Sequence, residues 1–184
     1  MNFPAIPGYV RKIVEPFSGT SLTDHALIMG EVLTTQWNVR AEYRWDAGVA
    51  IGAYLDGLKR GKLLGARCAG CRRTVIPPRA FCELCFRPVG QWVDLPDTGK
   101  INTYSVSFIN WDATRRQTPE VPAVIEIDGA NPGIGILHLM GEVGDTLEEI
   151  TARLKPGTPV QAVWKPESER EGAITDIRYF RPVS

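Results

Sequence analysis

The sequence predicts a mainly β protein with short helices: an N-terminal helix and a zinc ribbon, followed by a five-stranded OB-fold barrel. Three observations carry this. All four cysteines fall in two Cys-x-x-Cys pairs ten residues apart. Five short alternating segments follow the second pair. A helical pattern falls between the third and fourth of them. Periodicity alone supports a small barrel or a sandwich, and the place of the helix selects the OB layout.

The metal reading starts from residues 67–87, R-C-A-G-C-R-R-T-V-I-P-P-R-A-F-C-E-L-C-F-R. Cys68, Cys71, Cys82 and Cys85 can aim four sulfurs at one point, and zinc suits such a soft tetrahedral cage. Paired disulfides would need an oxidising compartment, and no secretory pattern precedes them. A redox dithiol would leave the second pair unexplained. An iron–sulfur centre uses the same ligands and stays open. Four cysteines close the site, so the expected metal role is structural rather than catalytic.

Composition bounds the rest. Hydrophobic content of 43% and charged content of 23% are ordinary for a globular chain. With neither a membrane-length apolar run nor a signal-peptide pattern, a cytoplasmic location is expected, consistent with reduced thiols. The formal net charge is zero, so no global field draws nucleic acid or an anionic membrane. Locally, Lys59, Arg60, Lys62, Arg67, Arg72, Arg73, Arg79 and Arg87 surround the cysteines against a lone Glu83. They offset the negative charge of four thiolates around a dication, or they form a basic surface for a phosphorylated ligand. The first account is favoured.

Three segments are expected: an N-terminal extension over 1–44, a helix and four-cysteine ribbon over 45–90, and the OB-fold over 91–184. Prolines and glycines keep 1–30 irregular apart from a short strand over 10–14. Leu33 to Trp45 alternates strictly, predicting a long strand that buries its aromatic face within the chain rather than reaching out as an arm. Asp46 caps a helix carrying Ala47, Ala50, Ile51, Tyr54, Leu55 and Leu58, with Gly61 as its left-handed stop. Strands are expected over 62–66, 99–109, 121–127, 134–140, 160–164 and 174–180. Gly135 marks a bulge or a close backbone approach. The inserted helix, over 145–154, takes Asp145 as its cap and Glu148 at the capping-box position. His25 and His138 are isolated, and neither a nucleophile–base pair nor a phosphate loop stands out.

Leu58-Lys59-x-Gly61-Lys62-Leu63-Leu64-Gly65-x-x-Cys68-x-x-Cys71, then Pro77-Pro78-Arg79-x-x-Cys82-x-x-Cys85, then Gly99-Lys100-Ile101-x-x-Tyr104, resemble the DUF35 family over about residues 45–182. These are rubredoxin-like zinc ribbons fused to an acyl-CoA-associated OB-fold. The resemblance implies a non-catalytic accessory subunit in a hetero-oligomer with a thiolase-superfamily enzyme: a thiolase, an acyltransferase or an aldolase of lipid or aromatic acid metabolism. It implies zinc on the four cysteines and a coenzyme A thioester as a ligand shared by the complex. Arg72 and Arg73 are candidate contacts to coenzyme A phosphates. The competing expectation is a single-stranded nucleic-acid binder with Tyr104, Phe108 and Trp111 as stacking platforms. Zero net charge disfavours it.

Overall fold

A computed structural model describes residues 23–32, 35 and 37–183. Two compact units divide between Arg44 and Trp45. In the first, α1 (Asp24–Ile28) is capped by Thr23, whose Oγ1 accepts from the Ala26 N–H. The expected strand over 10–14 lies outside the described residues. So do Leu33, Thr34 and Gln36 of the expected alternating strand. Its other residues, Thr35 and Trp37 to Trp45, lie in no strand and are exposed. Alternation supplies a face but no partner, and a strand needs a neighbouring ladder to satisfy its backbone.

The second unit opens with α2 (Gly48–Lys59), which buries Ala50, Tyr54, Gly57 and Leu58 at helical spacing. Asp46 Oδ1 accepts from the Gly48 N–H at 2.8 Å. At the other end Gly61 N–H donates to Leu58 O and Lys62 N–H to Gly57 O, both at 2.9 Å, with Gly61 at φ 71°. That is a Schellman stop, as Gly61 predicts. β1 (Leu63–Cys68) then lies between β2 (Thr74–Val75) and β3 (Val89–Leu95), all antiparallel.

A five-stranded sheet follows, ordered β10 (Ile177–Pro182), β9 (Pro159–Trp164), β4 (Thr98–Tyr104), β7 (Pro122–Ile127), β8 (Gly135–Leu139). β5 (Ser107–Ile109) and β6 (Arg115–Glu120) form a separate hairpin. Helix α3 (Leu147–Arg153) lies between β8 and β9 in sequence, where the OB layout requires it. Its cap is Thr146 and its box partner Glu149, one residue later than Asp145 and Glu148.

The five-stranded OB layout is present as expected, with the sheet not closed into a continuous barrel. The edge strands meet through a single parallel bridge, Met140↔Phe180, with Gly141 N–H donating to Phe180 O at 2.8 Å. β8 stops at Leu139, and Glu142 (φ 59°) and Gly144 (φ 102°) turn the chain away before a ladder can extend. The OB connectivity is intact.

Phe180, Ile177, Val160, Ile101, Ile125, Ile150 and Leu154 share one buried cluster with Leu58, Leu63 and Ile76. Ribbon and sheet therefore have a common core. A second tie is polar: Thr74 N–H donates to Asn131 Oδ1 at 2.8 Å while Asn131 N–H donates to Thr74 O at 3.0 Å. No helix among the described residues is long and apolar enough to cross a membrane.

Candidate metal centre

Each Cys-x-x-Cys pair folds into the same turn. Cys68 N–H donates to Arg73 O, and Arg72 N–H donates back to Cys68 O. Cys82 N–H donates to Arg87 O, and Phe86 N–H to Cys82 O, all four at 2.9 Å. The residue after each second cysteine is left-handed: Arg72 at φ 62° and Phe86 at φ 52°. This corner brings both sulfurs of a pair to one side.

The two turns face each other. All four Sγ atoms lie within 4.8 Å of one another, and Cys71 and Cys82 are 3.6 Å apart. A tetrahedron with Zn–S bonds of about 2.3 Å has edges of about 3.8 Å. The sulfurs thus fit a zinc ion and stand well beyond the roughly 2.05 Å of a disulfide. All four are free thiols, with Cys68 and Cys82 buried, Cys85 half-buried and Cys71 exposed. Among the described residues they are the group of His, Cys, Asp and Glu side chains that converges to metal-binding distances.

Four sulfurs this close cannot all be anionic without a cation. The Cys71 backbone N–H, with that of Gly70, draws the Cys68 thiol down to about 7. Hydrogen bonding to Cys71, with burial and the other sulfurs, pushes the Cys85 thiol up to about 12. A dication removes this conflict by holding every thiolate deprotonated.

The basic residues divide by role. Arg73 Nε lies 3.2 Å from Glu83 Oε1 and Arg79 3.5 Å from Glu83 Oε2, so Glu83 anchors two arginines beside the cluster. Arg67 Nε donates to the buried Thr74 hydroxyl at 3.1 Å. Arg72 is exposed at the first turn's corner. The two candidate coenzyme A contacts therefore differ: Arg73 is engaged within the ribbon, and Arg72 projects from it.

On the sheet side, Tyr104 OH donates to Leu154 O at 3.0 Å and is half-buried, which is a packing role. Trp111 is 99% exposed at the β5–β6 tip, where Arg116 donates to Asn110 Oδ1 and Asp112 accepts from Thr114. His138 Nδ1 accepts from the Leu139 N–H, so Nε2 carries the proton shared with Ile174 O. Sequence reasoning missed Asn131 as a latch and Asp176 as a buried anchor. The turn signal around Asn131–Pro132–Gly133 was the visible trace of the first.

Residues 55–89 match the family model "ChsH2, rubredoxin-like zinc ribbon domain", and residues 92–165 match "ChsH2, C-terminal OB-fold domain". A DUF35 domain-containing scaffold protein of Methanocaldococcus jannaschii is 30% identical over 125 residues, covering 66% of this chain and 82% of the relative. Two solved structures share the fold. One is a DUF35 protein from Sulfolobus solfataricus, with TM-score 0.51, 22% identity, and 63% of this chain against 78% of that one. The other is a chain of the Ltp2-ChsH2(DUF35) aldolase, with TM-score 0.50, 20% identity, and 78% of this chain against 98% of that one. With a four-cysteine ribbon, an OB-fold behind it and a relative matched over most of its length, this chain belongs to the DUF35 family.

Proposed function

We propose that the chain is a zinc-loaded accessory subunit of a thiolase-superfamily enzyme. In this reading it supports acyl-CoA binding while the partner makes or breaks a carbon–carbon bond next to the thioester. The observation that carries it is the closed four-sulfur cluster. Cysteine fills every ligand position, leaving no coordination site for a substrate, so a zinc ion there supplies a rigid fold rather than a reaction. The relative named as a scaffold protein and the neighbour from an aldolase assembly favour the same role. Arg72 is the stronger candidate for a coenzyme A phosphate contact, because Arg73 is already paired with Glu83.

Native mass spectrometry of the protein purified from its own cells tests this. The expected result is an assembly with a larger thiolase-like chain and one zinc per copy, active on an acyl-CoA only as the complex. A lone zinc-loaded chain, or one carrying an oligonucleotide, overturns it. Unchanged coenzyme A affinity after Arg72→Glu removes the phosphate contact alone.

A further inference from the structure

The second cysteine turn carries more apolar surface than holding a metal requires. Phe81, Leu84 and Phe86 lie within six residues and are all exposed, Phe86 at 80%. None belongs to the buried core. Phe86 also sits at φ 52°, where glycine is the relaxed choice and a side chain costs roughly 1 kcal/mol. An aromatic ring is held here against both backbone preference and water. The first turn has the same left-handed corner at Arg72, so the corner belongs to the cysteine turn, and what sets the second turn apart is an exposed ring where the first carries a charge.

The charge around it indicates what it meets. From Arg67 to Arg87 there are five arginines and one glutamate. Glu83 is already shared by Arg73 and Arg79, and Arg87 is exposed next to Phe86. Four thiolates with Zn²⁺ would offset only two of these positive charges. We propose that Phe81, Leu84 and Phe86 are the anchor that enters an apolar, acid-rimmed pocket on the enzyme subunit. This rests on the accessory-subunit reading and names the surface that makes the contact. Exposed aromatic side chains on a metal-stiffened turn are what a protein hot spot uses, since little ordering entropy is left to lose. A small ligand would need a concave, lined site instead.

The test uses the full-length zinc-loaded chain and the enzyme subunit that co-purifies with it. Phe86→Gly relieves the left-handed corner, so it should raise the melting temperature and leave zinc at one per chain. The same substitution, with Leu84→Ser added, should weaken association roughly thirtyfold or more. Raising salt from 0.05 to 0.5 M should weaken the wild-type complex further, as an acidic rim requires. A variant that keeps its zinc and binds the subunit as tightly as wild type overturns the proposal while leaving the accessory reading intact. If the wild-type chain binds no such subunit, the reading and the anchor fall together.

Discussion

Asp176 is fully buried, yet it is a carboxylate. It survives there because Glu171, Gly172 and Ala173 N–H groups donate to it at 3.0, 2.7 and 3.1 Å. Burial alone would raise its pKa; these three donors overcome that and hold it below the usual carboxylate range. The loop it organises presses on α2, since a Cβ on Gly172 would sit 3.3 Å from Leu55 O. Asp176→Ala would orphan three donors. Each bond to a charged acceptor is worth roughly 1.5–3 kcal/mol, but the exposed side of the loop can open to water and recover part of this. A net loss of about 3 kcal/mol remains, or roughly 6–12 °C in melting temperature for a chain of this size. Differential scanning calorimetry at pH 7 measures it. The sign with pH follows from the lowered pKa. The contribution is present above the unfolded value near about 3.9 and is lost as pH falls through the lower folded value. Asp176→Asn should therefore flatten the acid limb relative to wild type, because acid release of zinc is common to both and cancels in the difference. An Asp176→Ala chain melting within about 2 °C of wild type would refute the anchor.

Three further outcomes follow from separate parts of the molecule. Stripping the metal with a chelator under reducing conditions should speed amide exchange across Cys68 to Pro88 by more than about a hundredfold. Thr98–Tyr104 and Pro122–Ile127 should keep their protection, as mass spectrometry of the exchanged peptides would show. Gly135→Ala should cost about 2 kcal/mol in urea unfolding, because a Cβ there would overlap the Ile125 carbonyl across the β7–β8 ladder. Thr146→Ala removes the half of the capping box in which Thr146 Oγ1 accepts from the Glu149 N–H, leaving the backbone N–H of residue 146 on Glu149 Oε2, and should cost about 1 kcal/mol by the same measurement.

The ribbon and the OB strands were legible because their signals are local. Cysteine spacing, Gly61 after an amphipathic run and alternation over 121–127 each carry their own geometry. Gly135 was readable as a close backbone approach for the same reason. What escaped depends on partners distant in sequence. β3 straddles the expected boundary at 90/91, and its mixed exposure gives no clean period. It is a strand because β1 pairs with it at six positions. β6, R-R-Q-T-P-E, has loop composition and is ordered only by the hairpin with β5. The stretch from Leu33 to Trp45 shows the reverse: strong alternation, and no strand among its described residues.

A metal at the four converging sulfurs would explain the distribution of apolar residues around them. Between Arg67 and Pro88 the buried side chains are Cys68, Thr74, Val75, Ile76, Pro78 and Cys82, too few to fix two turns by packing. A zinc ion on the four thiolates would supply that order instead. Because the turns do not need Phe81, Leu84 or Phe86 inside, these side chains are free to face outward. The ribbon is meanwhile held to the sheet by the shared core and by the Thr74–Asn131 pair, while the loop on Asp176 packs on α2, which leads into it. An outward apolar turn is poorly explained as a device for folding this chain, since Phe81, Leu84 and Phe86 are exposed and lie outside the buried core. It is well explained as a device for meeting another protein at a fixed angle. If docking is its purpose, weakening the mount through Asp176 should reduce partner affinity even though Asp176 touches no partner. An Asp176→Asn chain that keeps full affinity despite a loosened α2 would separate the anchor from its mount.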